Sequence, residues 1–109
     1  MIRDDTVFLR HILDATNTIQ EYTKGMDYEG FRASSLVQDG VIRQLEIIGE
    51  ATKNLSREIR EKHPYIPWKD LAGMRDKLIH QYFGVDIAGV WDTAEQDIPT
   101  LKIYLIKLL

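Results

Sequence analysis

Val41, Leu45, Ile48, Thr52, Leu55 and Ile59 recur in steps of four and three residues. That spacing lines one face of a 3.6-residue helix and cannot belong to a strand, whose side chains change face at every residue. A helix with one apolar stripe must lay it against other helices. The segment therefore reads as the spine of a helical bundle, with Ser34 or Ser35 as its N-cap and an end near Lys62.

The flanking segments follow the same period. From Asp5 to Thr23 the stripe is Phe8, Ile12, Ala15, Ile19 and Tyr22, broken afterwards at Gly25. "HPYIP", residues 63–67, ends the spine, because each proline disfavours helical geometry in the residue before it, and Pro67 suits the first position of a new helix. That third helix should stop near Phe83, where Gly84 offers a left-handed cap. Asp86 then caps a fourth, with a stripe of Ile87, Val90, Trp91, Ala94, Ile98, Leu101, Leu105 and Leu108. Pro99 removes one backbone hydrogen bond from it and predicts a kink. No segment alternates with period two for long enough to be a strand. The expected fold is all-α, an up-and-down bundle of four main helices with a short extra turn around Tyr28 to Ala33.

A chain of 109 residues has room for one domain, 1–109, with one core. The absence of cysteine excludes disulfides, thiolate zinc sites and a cysteine nucleophile together. The amino terminus, "MIRDDTVFLR", lacks the apolar run of a signal peptide, and nowhere do eighteen apolar residues follow one another. The expectation is a cytoplasmic protein without a membrane segment. A net charge of −3 argues against a broad basic surface, so any contact with nucleic acid must be local, a few arginines converging on one phosphate.

The third helix carries the densest chemistry. In "WKDLAGMRDKLIHQYFGVD", residues 68–86, Asp76 and His80 are four apart and share a face, so the carboxylate can orient or charge the imidazole. Tyr82 falls seven residues after Arg75, back on the arginine's side. Arg75 and His80 are five apart, about 140° around an ideal helix. Within one straight helix they do not meet. Either the helix is distorted near its end or two copies of the chain each supply part of one site. A histidine four residues after an aspartate is ordinarily a surface ion pair, so spacing by itself leaves its role open.

Arg75-Asp76-Lys77-Leu78-Ile79-His80-Gln81-Tyr82 resembles the signature of the HEPN superfamily: Arg, a polar residue, three further residues, His, any residue, Tyr. It is closest to the small HepT-like branch. "LEIIGEATKNLS", residues 45–56, looks like that branch's second-helix signature, and the likeness covers nearly the whole chain. The resemblance implies a metal-independent endoribonuclease that needs no cofactor. It also implies a homodimer acting as the toxin of a toxin-antitoxin pair, whose antitoxin is a minimal nucleotidyltransferase. It further implies that Arg75 and His80 are the catalytic pair and that Tyr82 is where the antitoxin attaches AMP. Asp76 is one of the residues usual at its position, so the motif is intact.

Those residue types suit RNA cleavage through the adjacent 2′-hydroxyl. Histidine titrates near neutrality and can take or return the proton. Arginine presents a planar, permanently charged fork to the phosphate oxygens. Asp76 holds the His80 tautomer or fixes the Arg75 rotamer.

Gly49 in mid-helix costs about 1 kcal/mol relative to alanine and is expected to let another helix approach. Glu50 is a candidate to support Arg75 from a neighbouring helix or else a solvated glutamate. His11 and His63 receive no role. A di-metal bundle needs Glu-x-x-His pairs on two helices, and "EKH" at 61–63 has the wrong spacing. The competing reading is a dimeric accessory subunit that binds a nucleotidyltransferase and cuts nothing. Intact Arg75 and His80 favour the enzyme.

Overall fold

Asp4 accepts a hydrogen bond from the Thr6 N–H at 2.9 Å and starts α1, Asp5–Thr23. The computed structural model describes residues 4–80 and 86–109, with the side chains of 75–80 outside that description. The face of α1 that meets the core is Leu9, Ile12, Ala15, Thr16, Ile19 and Thr23. The expected stripe is thus rotated: Phe8 is only half-buried and Tyr22 is exposed. Threonine explains the difference. Thr16 donates its hydroxyl to the Leu13 carbonyl at 2.7 Å and Thr23 to that of Ile19 at 3.0 Å, so both enter the core with their polar atom satisfied. Thr52 does the same with Ile48 at 2.7 Å. Tyr22 lies instead across Gly40, where a Cβ would stand 2.9 Å from its ring.

Gly25, at φ +76, turns the chain out of α1 in the left-handed region, as expected of a glycine there. The short turn that follows is α2, Tyr28–Arg32, capped by Asp27. Its Phe31 is fully buried beside Trp91, with ring centroids 5.1 Å apart. Gln38 closes the C-terminal end of α2 by donating to the Phe31 and Arg32 carbonyls at 2.9 and 2.8 Å.

The spine is two helices, not one. α3 runs Ser35–Lys53 from a Ser34 cap, and α4 is Arg57–Lys62, capped by Ser56. The continuous helix to Lys62 expected from the stripe is interrupted at 54–56. There Ser56 donates its N–H to Asp5 Oδ1 at 2.8 Å and its hydroxyl to Asp5 Oδ2 at 2.6 Å. A carboxylate on the first turn of α1 thereby holds the residue that also caps α4. Leu55 remains buried and Ile59 half-buried, which is why the apolar steps run through the break.

α5 is Trp68–His80 and begins one residue later than expected: the Pro67 carbonyl accepts from the Leu71 N–H at 3.0 Å, so Pro67 precedes the helix. The expected end near Phe83 and the Gly84 cap lie outside the described residues. Asp86 caps α6, Ile87–Asp92, as the sequence predicts. A π-helical turn, Thr93–Asp97, then joins it to α7, Ile98–Leu108. The disturbance expected at Pro99 takes this form. The Ile98 N–H donates five residues back to Thr93, and a widened turn relieves the clash of a proline ring with the carbonyl four residues before it.

α3 packs against both α1 and α5, α1 also against α7, and α2 bridges α3 and α6. The architecture is all-α, and among the described residues there is no strand. Val41, Leu45 and Ile48 of α3 interleave with Ile12 and Ile19 of α1 and Leu105 of α7 in one core. Gly49 is buried on α3, in keeping with a packing role.

Replacing Ser56 by alanine removes the α4 cap and the hydroxyl that donates to Asp5 Oδ2, while the backbone N–H still donates to Oδ1. We expect a loss of about 1–3 kcal/mol in urea unfolding. A loss within the error of the measurement would show that the interruption of the spine does not rest on the Ser56 hydroxyl.

Candidate active site

The segment entering α5 is tied down before the helix begins. The His63 carbonyl accepts two hydrogen bonds, from the Ile66 N–H at 3.2 Å and from the Trp68 indole N–H at 2.9 Å. Ile66 and Trp68 are both buried, so these bonds are shielded and the indole leaves no donor unmatched. Leu71, one turn further on, is buried as well. The chain from His63 to Trp68 is thus folded onto itself where α5 begins, and α5 packs from there against α3. His63, to which the sequence assigned no role, contributes its carbonyl here, while its ring meets Tyr65 edge-on and Nδ1 lies 3.1 Å from the Tyr65 hydroxyl.

α5 is one continuous helix through His80 and so contains positions 75, 76 and 80. A step of five in such a helix turns about 140°. The side chains of Arg75, Asp76 and His80, and Tyr82 entirely, lie outside the described residues. Glu50 is exposed on the outer side of α3. It lines a groove of about 340 Å³ between α1 and α3, together with His11, Arg43, Glu46 and Asn54. His11 is exposed there, its ring edge-on to Phe8 at 6.1 Å. Placing a histidine and an arginine in one groove, from helices far apart in the sequence, is beyond what periodicity can show: His11 merely adjoins the first stripe. With two carboxylates beside them, the groove has mixed charge and is not a phosphate channel by itself.

Among the described residues no group of three or more His, Asp or Glu side chains is placed to hold a metal ion. No helix among them is long and apolar enough to cross a membrane.

Against known families, residues 12–108 match the family model described as "Ribonuclease HepT-like". A protein of Methanocaldococcus jannaschii, provisionally named an RNase, is 52% identical over 107 residues, covering 98% of this chain and 92% of that one. "Probable ribonuclease HepT" of Thermococcus cleftensis is 47% identical over 108 residues, covering 99% and 98%. A second M. jannaschii protein, whose name joins a gamma-glutamylcyclotransferase to a provisional RNase, is 49% identical over 109 residues. Those residues are all of this chain and 49% of that protein. No solved structure matches.

Trp68→Phe keeps most of the buried ring and removes the indole donor, and should cost about 1 kcal/mol in chemical denaturation. Trp68→Ala empties the site and should cost about 3–5 kcal/mol. Equal, small losses in both variants would show that Trp68 does not anchor α5.

Proposed function

The chain belongs to the ribonuclease HepT-like family, and from that premise we propose that it is a metal-independent endoribonuclease whose site combines Arg75 and His80 at a homodimer cleft. The observation that carries the reading is the family match over residues 12–108, which takes in the whole of α5 and the complete Arg75 to Tyr82 motif.

In the proposed reaction a 2′-hydroxyl of the RNA attacks the adjacent phosphorus, and the bond to the 5′-oxygen of the next nucleotide breaks. A cyclic phosphate and a 5′-hydroxyl result. His80 transfers a proton, as the base that takes it from the 2′-hydroxyl or the acid that gives one to the leaving oxygen. Arg75 offsets the charge that grows on the non-bridging oxygens. Asp76 orients His80 or fixes Arg75, and Glu50 supports Arg75 from α3.

Two copies are needed because positions five apart on a helix face about 140° away from each other. A two-fold axis near the end of α5 brings a second Arg75 and His80 to the same cleft, which grips a phosphate even though the chain carries a net charge of −3. Single-stranded RNA, whose backbone can bend into the attacking geometry, is the expected substrate.

The protein acts in this reading as a toxin, restrained by a minimal nucleotidyltransferase antitoxin that attaches AMP to Tyr82. The added bulk and negative charge beside Arg75 exclude RNA from the cleft.

Cleavage of transfer RNAs and unstructured RNA in EDTA tests the proposal. His80→Ala and Arg75→Ala should each lose about 100-fold or more in rate while circular dichroism shows them folded. Wild-type rates in either variant would overturn the assignment. Unmodified wild-type protein, checked by mass, that cuts no RNA would favour the accessory-subunit reading. Asp76→Asn should be slower than wild type, and full activity there would remove its electrostatic role.

A further inference from the structure

A second groove lies between the start of α5 and the start of α7, on residues the proposed reaction does not use. It has a volume of about 230 Å³. Its floor is apolar: Leu71 and Leu101 are buried, and Met74 and Tyr104 are half-buried. Asp70 and Asp97, both exposed, stand among its lining residues, and among the described residues no Lys or Arg does.

The aromatic wall is held in place. Tyr104 meets Tyr65 edge-on with centroids 5.3 Å apart, and Tyr65 in turn meets His63, whose carbonyl anchors α5. That ring contact restricts Tyr104, so less of its side-chain entropy remains to be lost when the groove is filled.

Charge and size narrow the occupant. Two carboxylates repel a phosphate, so RNA and nucleotides are disfavoured. The volume is below the range of about 300–1,000 Å³ typical of small-molecule pockets. An extended side chain with apolar methylenes and a cationic head fits both conditions. A guanidinium matches best, because it can lie on an aromatic face while its N–H groups reach carboxylates.

We propose that the α5–α7 groove is a docking site for an arginine side chain of a protein partner, seated on Met74 and Tyr104 and held by Asp70 and Asp97. It lies on α5 upstream of the catalytic motif, so a partner docked there sits on the same helix as the proposed active site without occupying it. The inference is independent of the ribonuclease reading, because neither its residues nor its chemistry are shared with that reaction.

The test is a titration of the isotope-labelled full chain with the blocked tripeptide Gly-Arg-Gly, followed by amide chemical shifts. A matched peptide with citrulline, the uncharged isostere of arginine, is the control. The arginine peptide should give saturating shifts centred on residues 70–74 and 97–104, and citrulline should not. The double variant Asp70→Asn, Asp97→Asn should bind at least about fivefold more weakly, with its spectrum otherwise that of the wild type. No saturating shift, equal response to citrulline, or equal binding by the double variant each overturns the proposal. So does a wild-type dimer, seen in sedimentation, that the double variant dissociates, since the groove then belongs to a second copy of this chain.

Discussion

The two hydrogen bonds accepted by the His63 carbonyl set the frame in which α5 acts. A helix can slide or rotate against its neighbour unless something outside its own backbone fixes its start. Here a buried indole and a buried isoleucine do so, with Ile66 between Pro64 and Pro67, which prevent the chain from continuing the helix before. The later positions of α5, including those of the proposed motif, follow from this start in a helix that packs against α3. At the opposite end of the connection, Asp5 holds Ser56, so both limits of the α4 segment are tied by side chains rather than by helix propensity.

Much of this was legible in the sequence, and the errors have specific causes. The all-α class followed from the four-and-three steps, and the caps at Ser34 and Asp86 followed from residue type. The break in the spine was hidden because Thr52, Leu55 and Ile59 keep the helical step across it. What enforces the break is a contact between residues 51 positions apart, which no local pattern contains. The face of α1 was misplaced because counting apolar residues passes over threonine, although Thr16 and Thr23 satisfy their hydroxyls within their own helix. Pro99 announced a disturbance, but only the packed helix shows that a π-helical turn absorbs it upstream.

The candidate residues stand out in the sequence for a different reason. Periodicity finds stripes, and the residues proposed for catalysis are not a stripe: Arg75 and His80 violate the spacing that a single helical face would need. Two matched signatures drew attention to them, and family membership makes the same residues the natural candidates in this chain. Grooves that join distant segments stay invisible to sequence reading. The α1–α3 groove with His11 and Arg43, and the α5–α7 groove with Asp70 and Asp97, exist only once the helices are packed.

The central claim is that one copy of the chain cannot complete the site. Mixing inactive Arg75→Ala and His80→Ala proteins, unfolding them together and refolding them to exchange subunits, tests it directly. In the mixed dimer one site can still pair an intact Arg75 from one copy with an intact His80 from the other. The account predicts that RNA cleavage reappears in the mixture and is absent from either variant treated alone. A mixture that exchanges subunits, as mass spectrometry of the intact dimers would verify, yet stays as inactive as its components would contradict it.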